Sequence, residues 1–154
     1  MVEQNPSKEP TDPHYLNRFV EAQEGVYERA LTEIRGGRKR SHWMWYIFPQ
    51  FDGLGYSSTT KRYSIKSVAE ATEYLRHPVL GPRLRECCEV LLSISGRPAI
   101  EIFGSPDEMK LQSCATLFAH VSPPNSVFRR VLGKYFHGKY DAATLQLIGS
   151  RPND

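Results

Sequence analysis

The chain has 154 residues, 40% of them hydrophobic and 24% charged, with a formal net charge of +3. That length suits one domain able to bury about 70% of the surface its unfolded chain exposes, so no disulfide or metal is needed to hold a core. The small net charge does not mark a nucleic-acid binder, no apolar run approaches a membrane span, and no signal peptide is visible. Three cysteines, two of them adjacent at Cys87 and Cys88, form no disulfide framework and are expected as buried thiols of a cytoplasmic protein.

Residues 1–11 are polar, carry two prolines and show no apolar period; they are expected as a disordered tail. A single helical domain is expected over residues 12–149, with a C-terminal tail at 150–154. Asp12-Pro13 has the pattern of an N-cap followed by proline in the first helical position. Leu16, Phe19, Val20, Gln23, Tyr27, Ala30, Leu31 and Ile34 then follow at helical spacing and predict one helix, ended by Gly36-Gly37. The aromatic block Trp43-Met44-Trp45-Tyr46-Ile47-Phe48 is too short to assign by period. Ser41 would cap a short helix there that Pro49 ends, with a buried strand as the alternative. Residues 50–62 predict a long loop.

Ser67 and Glu70 make a capping-box pattern ahead of a helix that Pro78 stops. A further helix is expected from about Val79 to Ser95, with Leu80, Leu84, Cys87 or Cys88, and Leu91 on one side. Pro98 to Phe103 predict a short helical turn. Ser105-Pro106-Asp107-Glu108 places a cap, a proline and two acids at the positive end of a helix dipole. Met109, Leu111, Cys114, Ala115, Leu117, Phe118 and Val121 predict its apolar face. Val127 to Phe136 form another amphipathic segment, and Asp141 caps a last one. No strand pair alternates with hairpin turns. The fold class is therefore all-α, a single compact domain of six to eight short helices.

Three places carry candidate chemistry. In the basic loop Arg35-Gly36-Gly37-Arg38-Lys39-Arg40, backbone amides and cations suit a phosphate; the plainer reading is a solvated helix C-terminus. In the aromatic block most rings are expected as core. In a helix Met44 shares a face with Ile47 or Phe48, so Trp45 points elsewhere, toward loop or ligand. His42 beside it is a candidate acid, base or phosphate donor. In the third place Lys110, Ser113 and Thr116 adjoin on one helix surface, and Asp107 lies three residues before Lys110. No histidine pair or carboxylate cluster suits a metal, and no cofactor is expected.

Several of these residues resemble a known family. Arg18-Phe19-Val20-Glu21-Ala22-Gln23, the run Ser41 to Gln50, Gly53-Leu54-Gly55-Tyr56-Ser57, Tyr63, Tyr74 to Gly81, Asp107, Lys110, Ser113 and Thr116-Leu117-Phe118 are similar to the domain-of-unknown-function 1810 proteins, some of which carry the label calpastatin. The resemblance covers Leu16 to Gly149. It implies an α-helical domain and no established activity; Cys114-Ala115 stands where that family usually has Ser-Met. Phe19 to Gln23, and Asp107 with Lys110 ahead of Phe118, also resemble the helical NADAR N-glycosidases. That likeness implies phosphates held by cations, a ring stacked on a base, and Glu21 or Asp107 stabilising an oxocarbenium-like centre.

One pocket is therefore expected, lined by the aromatic block, the Gly53–Ser57 loop and the Lys110 helix. Its ligand would be a phosphorylated small molecule such as a nucleotide or ADP-ribose derivative, bound and, as an extension, hydrolysed. The expected ligand-binding residues are Lys39, Arg40, Trp45, Gln50, Ser57, Tyr63, Lys110 and Ser113, with His42, Glu21 and Asp107 for proton or charge work. The alternative is a non-catalytic module that offers these groups to a protein or to single-stranded nucleic acid. Neither reading involves a membrane, and the oligomeric state is left open.

Overall fold

The computed structural model describes residues 11–150. The expected tails, 1–11 and 150–154, lie outside the described residues except for Thr11 and Ser150. Among the described residues the chain forms ten helices and one isolated parallel bridge, Phe51 to Ile65. The all-α expectation holds, and the count exceeds six to eight for local reasons.

The first is a break. Instead of one helix, the chain forms α1 (Asn17–Gln23) and α2 (Tyr27–Arg35). Between them Gly25 adopts φ +71° with open space around it, so the backbone conformation and not crowding suits glycine there. Asp12 does cap α1, but from a turn away: its carboxylate accepts from the amides of Leu16 at 2.7 Å and Asn17 at 2.9 Å. Pro13 therefore precedes the helix and does not occupy its first position.

The second is the middle of the chain. The aromatic block forms the four-residue α3 (Met44–Ile47), the helical of the two alternatives, although Ser41 does not cap it. The expected loop contains α4 (Ser58–Arg62), whose cap is Ser57, accepting from the Thr60 amide at 3.1 Å.

Next come α5 (Val68–Arg76) and α6 (Leu80–Ser93). Ser67 accepts from the Glu70 amide at 3.0 Å, but Glu70 reaches back to the amide of Lys66 at 2.9 Å, one residue earlier than in a capping box. The two helices meet so closely that a Cβ on Gly81 would lie 2.1 Å from the Leu75 carbonyl oxygen.

The last four helices are α7 (Ala99–Phe103), α8 (Asp107–His120), α9 (Val127–Phe136) and α10 (Ala142–Gly149). Central to the fold is α8, which packs against α5, α7, α9 and α10. It is buried around its circumference, including the polar Ser113 and Thr116, so it has no single apolar face. Met109, expected on that face, is 61% exposed. Ser105 makes no cap bond; Pro106 holds that position.

The core gathers Phe19, Trp43, Phe48, Phe51, Tyr74, Phe118 and Phe128. All three cysteines are buried, and burial pushes the Cys87 thiol up to about 12, which keeps it protonated and unreactive. A buried ion pair, Arg18 to Glu70 at 2.7 Å, pins α1 to α5. The remaining donors of Arg18 take the carbonyls of His14, Tyr15, Arg62 and Ser64. Gln23 similarly ties α1 to α3 through the Tyr46 carbonyl at 2.7 Å, and accepts from Arg83 at 3.1 Å.

Candidate functional site

Asp107 lies in the first turn of α8, where a carboxylate is favoured by the exposed amides of the helix end. Its two oxygens hold two lysines, Lys39 at 2.9 Å and Lys110 at 3.2 Å. The side chain of Lys39 is 9% exposed and that of Lys110 is 26% exposed, so the reachable positive charge of this triad is on Lys110. Each ammonium also lies over an indole ring at 5.1 Å, Lys39 over Trp43 and Lys110 over Trp45. A cation over a ring face is attracted by its quadrupole.

The two tryptophans differ, and Trp45 lies off the buried face of Met44 and Ile47 as helical spacing predicts. Trp43 is 1% exposed and packs among the rings of Phe48 and Phe103. Trp45 is half-buried and lines a narrow crevice with Gln50, Thr60, Tyr63 and Lys110. That crevice shares Gln50, Thr60 and Lys110 with a cleft of about 340 Å³, bordered further by Leu54, Gly55, Met109, Ser113 and Asp141. The aromatic block, the Gly53–Ser57 loop and the Lys110 helix thus meet at one place.

The structure brings together Trp45, Gln50, Tyr63, Lys110, Ser113 and, behind Lys110, Asp107 and Lys39. Others lie elsewhere. His42 is exposed, and its ring makes no hydrogen bond among the described residues. Glu21 is exposed on α1, where it accepts from Asn17 at 2.9 Å. Arg40 is exposed, and among the described residues only its amide is engaged, by Glu33 at 2.8 Å. Ser57 is the α4 cap. Arg38 and Lys39 border a different, larger cleft of about 720 Å³ beside Arg97.

Ser113 and Thr116 do not form a polar surface with Lys110, as their three-residue spacing predicted. Both are buried in the seam between α8 and α10. Thr144 places its hydroxyl proton on the Asp141 carboxylate at 2.6 Å, so Ser113 donates to Thr144 at 3.0 Å. With its proton committed, Ser113 forms cleft floor and not an anion donor. The cleft donors are Lys110, the Gln50 amide and the Thr60 hydroxyl. Thr60 accepts from Ser57 at 2.8 Å, which leaves its own proton to give.

Thr60 and Glu33 escaped sequence reasoning. For Thr60 the available signal is Gly55: a Cβ there would come 2.3 Å from the Thr60 methyl. Glu33 organises the basic loop. Its carboxylate accepts from the amides of Arg40 and Ser41, the Ser41 hydroxyl and the Trp43 indole, all at 2.6–3.0 Å. Burial alone would raise its pKa; these four donors outweigh burial and lower it from 4.5 to about 2. The backbone at the end of the basic loop is thus held by a carboxylate on the preceding helix.

Among the described residues no group of three or more His, Cys, Asp and Glu is placed to hold a metal ion, and no helix is long and apolar enough to cross a membrane.

The chain is similar to a solved structure, that of the conserved hypothetical protein Rv1873 from Mycobacterium tuberculosis. The two are 48% identical, with a TM-score of 0.86 over 92% of this chain and 99% of that one. No curated protein matches the chain. The model of one family, described as protein of unknown function (DUF1810), matches residues 13–148. With the motifs of α1, the aromatic block and α8 all inside that match, the chain belongs to the DUF1810 family.

Proposed function

We propose that the cleft beside Lys110 binds a phosphorylated small molecule carrying a ring, of the nucleotide or ADP-ribose kind. The observation that carries this reading is the placement of Lys110. Its ammonium is fixed by Asp107 at 3.2 Å and by the Trp45 ring at 5.1 Å, and it faces the cleft. A cation held in place before the ligand arrives loses little side-chain entropy on binding. Phosphate oxygens would take Lys110, Thr60 and the Gln50 amide, and the ring would lie along Trp45.

The proposal is binding, without hydrolysis. Of the three residues considered for chemistry, His42 and Glu21 do not border the cleft, and Asp107 is held by two lysines. Asp141, the other carboxylate there, accepts from Thr144. Both bonds fall on its Oδ2, which makes Asp141 the cap of α10.

The test is a thermal-shift screen of the full chain against nucleotides, ADP-ribose, NAD and sugar phosphates, with Lys110→Ala alongside. Stabilisation by one class, lost in the folded variant, is the expected result. Equal stabilisation of the variant, or none by any compound, would overturn the proposal.

A further inference from the structure

The larger cleft, of about 720 Å³, lies between the basic loop, the turn that follows α6, and α7, and it includes neither Lys110 nor Trp45. We propose that it binds a short peptide with free ends. Arg38 and Arg97 would take the terminal carboxylate, and Glu101 the terminal ammonium. The inference does not rest on the reading of the Lys110 cleft.

The placement of charge selects the ligand. Arg38 and Arg97 are exposed at the cleft, and among the described residues neither joins an ion pair. Glu101 lines the same cleft, exposed, and among the described residues its carboxylate takes no hydrogen bond or ion pair. Lys39 does not belong to this set. Its ammonium is paired with Asp107 at 2.9 Å, and its side chain is 9% exposed. The two signs at the cleft therefore stand apart and do not neutralise each other. An anion alone would meet the like charge of Glu101, and a cation alone would meet two arginines. A molecule with a carboxylate at one end and an ammonium at the other meets an opposite charge at each. The planar fork of a guanidinium also matches a carboxylate in shape.

The walls are held in register by the backbone. The Arg38 amide donates to the Glu33 carbonyl at 3.1 Å, and the Lys39 amide donates to the Ile102 carbonyl at 2.6 Å. The basic loop is thereby clipped to α2 on one side and, on the other, to α7, which carries Glu101. Arg97 lies along Gly37, where a Cβ would come 3.1 Å from its Cδ and Nε. Gly37 also has φ +77°, which suits glycine. From there Nη1 of Arg97 donates one long bond, 3.5 Å, to the Gly37 carbonyl. That contact sets where the guanidinium stands and leaves its other N–H groups to a ligand.

Size favours a peptide over a single amino acid. Small-molecule pockets span about 300–1,000 Å³, and this cleft lies in the upper half of that range. Ile100, on its wall, is 55% exposed and offers apolar surface to a peptide side chain.

The test is isothermal titration of the full chain at low salt with leucyl-leucine, its N-acetylated form and its C-amidated form. One saturable site is expected for the free dipeptide. Blocking either end should weaken it about fivefold, the upper end for an exposed charge pair. Arg38→Ala should shrink the preference for the free over the amidated form. Glu101→Gln should abolish the preference for the free over the acetylated form. Lys110→Ala should bind as wild type does. Should Arg38→Ala melt early, Arg38→Gln is expected to give the same direction. No saturable heat from the folded wild type, or equal affinity for all three forms, would overturn the proposal. Tighter binding of the acetylated form would mark a plain anion site and overturn it too, as would free leucine binding as tightly as the dipeptide.

Discussion

Trp43 donates its indole N–H to Glu33 at 2.8 Å, and this bond ties the aromatic block to the last turns of α2. The same carboxylate receives the Arg40 and Ser41 amides, so one acid sets both the basic loop and the buried ring. Glu33→Gln keeps the shape and removes the charge. With a folded pKa of about 2 against an ordinary 4.5, the carboxylate stabilises the fold fully above pH 4.5, and that stability is lost as pH falls toward 2. After allowance for solvent screening, the variant is expected to lose about 1–2 kcal/mol at neutral pH. Urea denaturation at pH 7 and pH 3 checks this: the gap between wild type and variant should narrow at the lower pH. A constant gap would mean that the charge is not its source.

The Arg18–Glu70 pair makes a stronger demand. Both side chains are almost wholly buried, and Arg18 also satisfies four carbonyls. Removing one member of a buried pair leaves the other charged and unpaired, at a cost of about 3–5 kcal/mol. Arg18→Ala and Glu70→Ala are each expected in that range by chemical denaturation. The double variant should cost less than the sum, because no lone charge remains. Additive losses would show that the two do not interact.

The glycines of α6 and α9 separate crowding from propensity. Gly81→Ala would drive a Cβ to 2.1 Å from a backbone oxygen, which cannot move without shifting the end of α5. Gly133 lies within α9 with nothing near its Cβ position. Gly133→Ala should therefore stabilise by about 0.5–1 kcal/mol, as alanine does inside a helix. Gly81→Ala should destabilise by about 1–3 kcal/mol, the usual cost of overpacking. Paired melting curves of opposite sign are the expected outcome.

These residues also show what the sequence could reveal. Helical spacing set Trp45 apart from Met44, Ile47 and Phe48, because three to four residues per turn put it on a different face. Asp141 and Ser67 were legible as caps, since a cap bond spans only three residues. The break at Gly25 was not, because apolar positions continue through it from Phe19 to Ile34. Nor was the burial of Ser113 and Thr116, which depends on Thr144 and Asp141, more than twenty residues on. Lys110 meets Trp45 only once α3 and α8 are packed, and spacing along either helix carries no trace of that.

That meeting gives the last prediction. If Trp45 is cleft wall and Trp43 is core, their truncations must differ. Trp43→Ala empties a fully buried site and leaves Glu33 without one of its donors, so it is expected to cost about 3–5 kcal/mol. Trp45 is half-buried, its ring in contact with Tyr46 and the Lys110 ammonium. Trp45→Ala should cost about 1–2 kcal/mol, in proportion to the smaller area returned to water. The chain has two tryptophans, so Trp43→Phe and Trp45→Phe each leave one fluorophore. Acrylamide should quench Trp45 readily and Trp43 hardly at all, and a ligand in the Lys110 cleft should protect Trp45 alone. Equal quenching of both, with equal losses of stability, would place Trp45 in the core and remove it from the binding site.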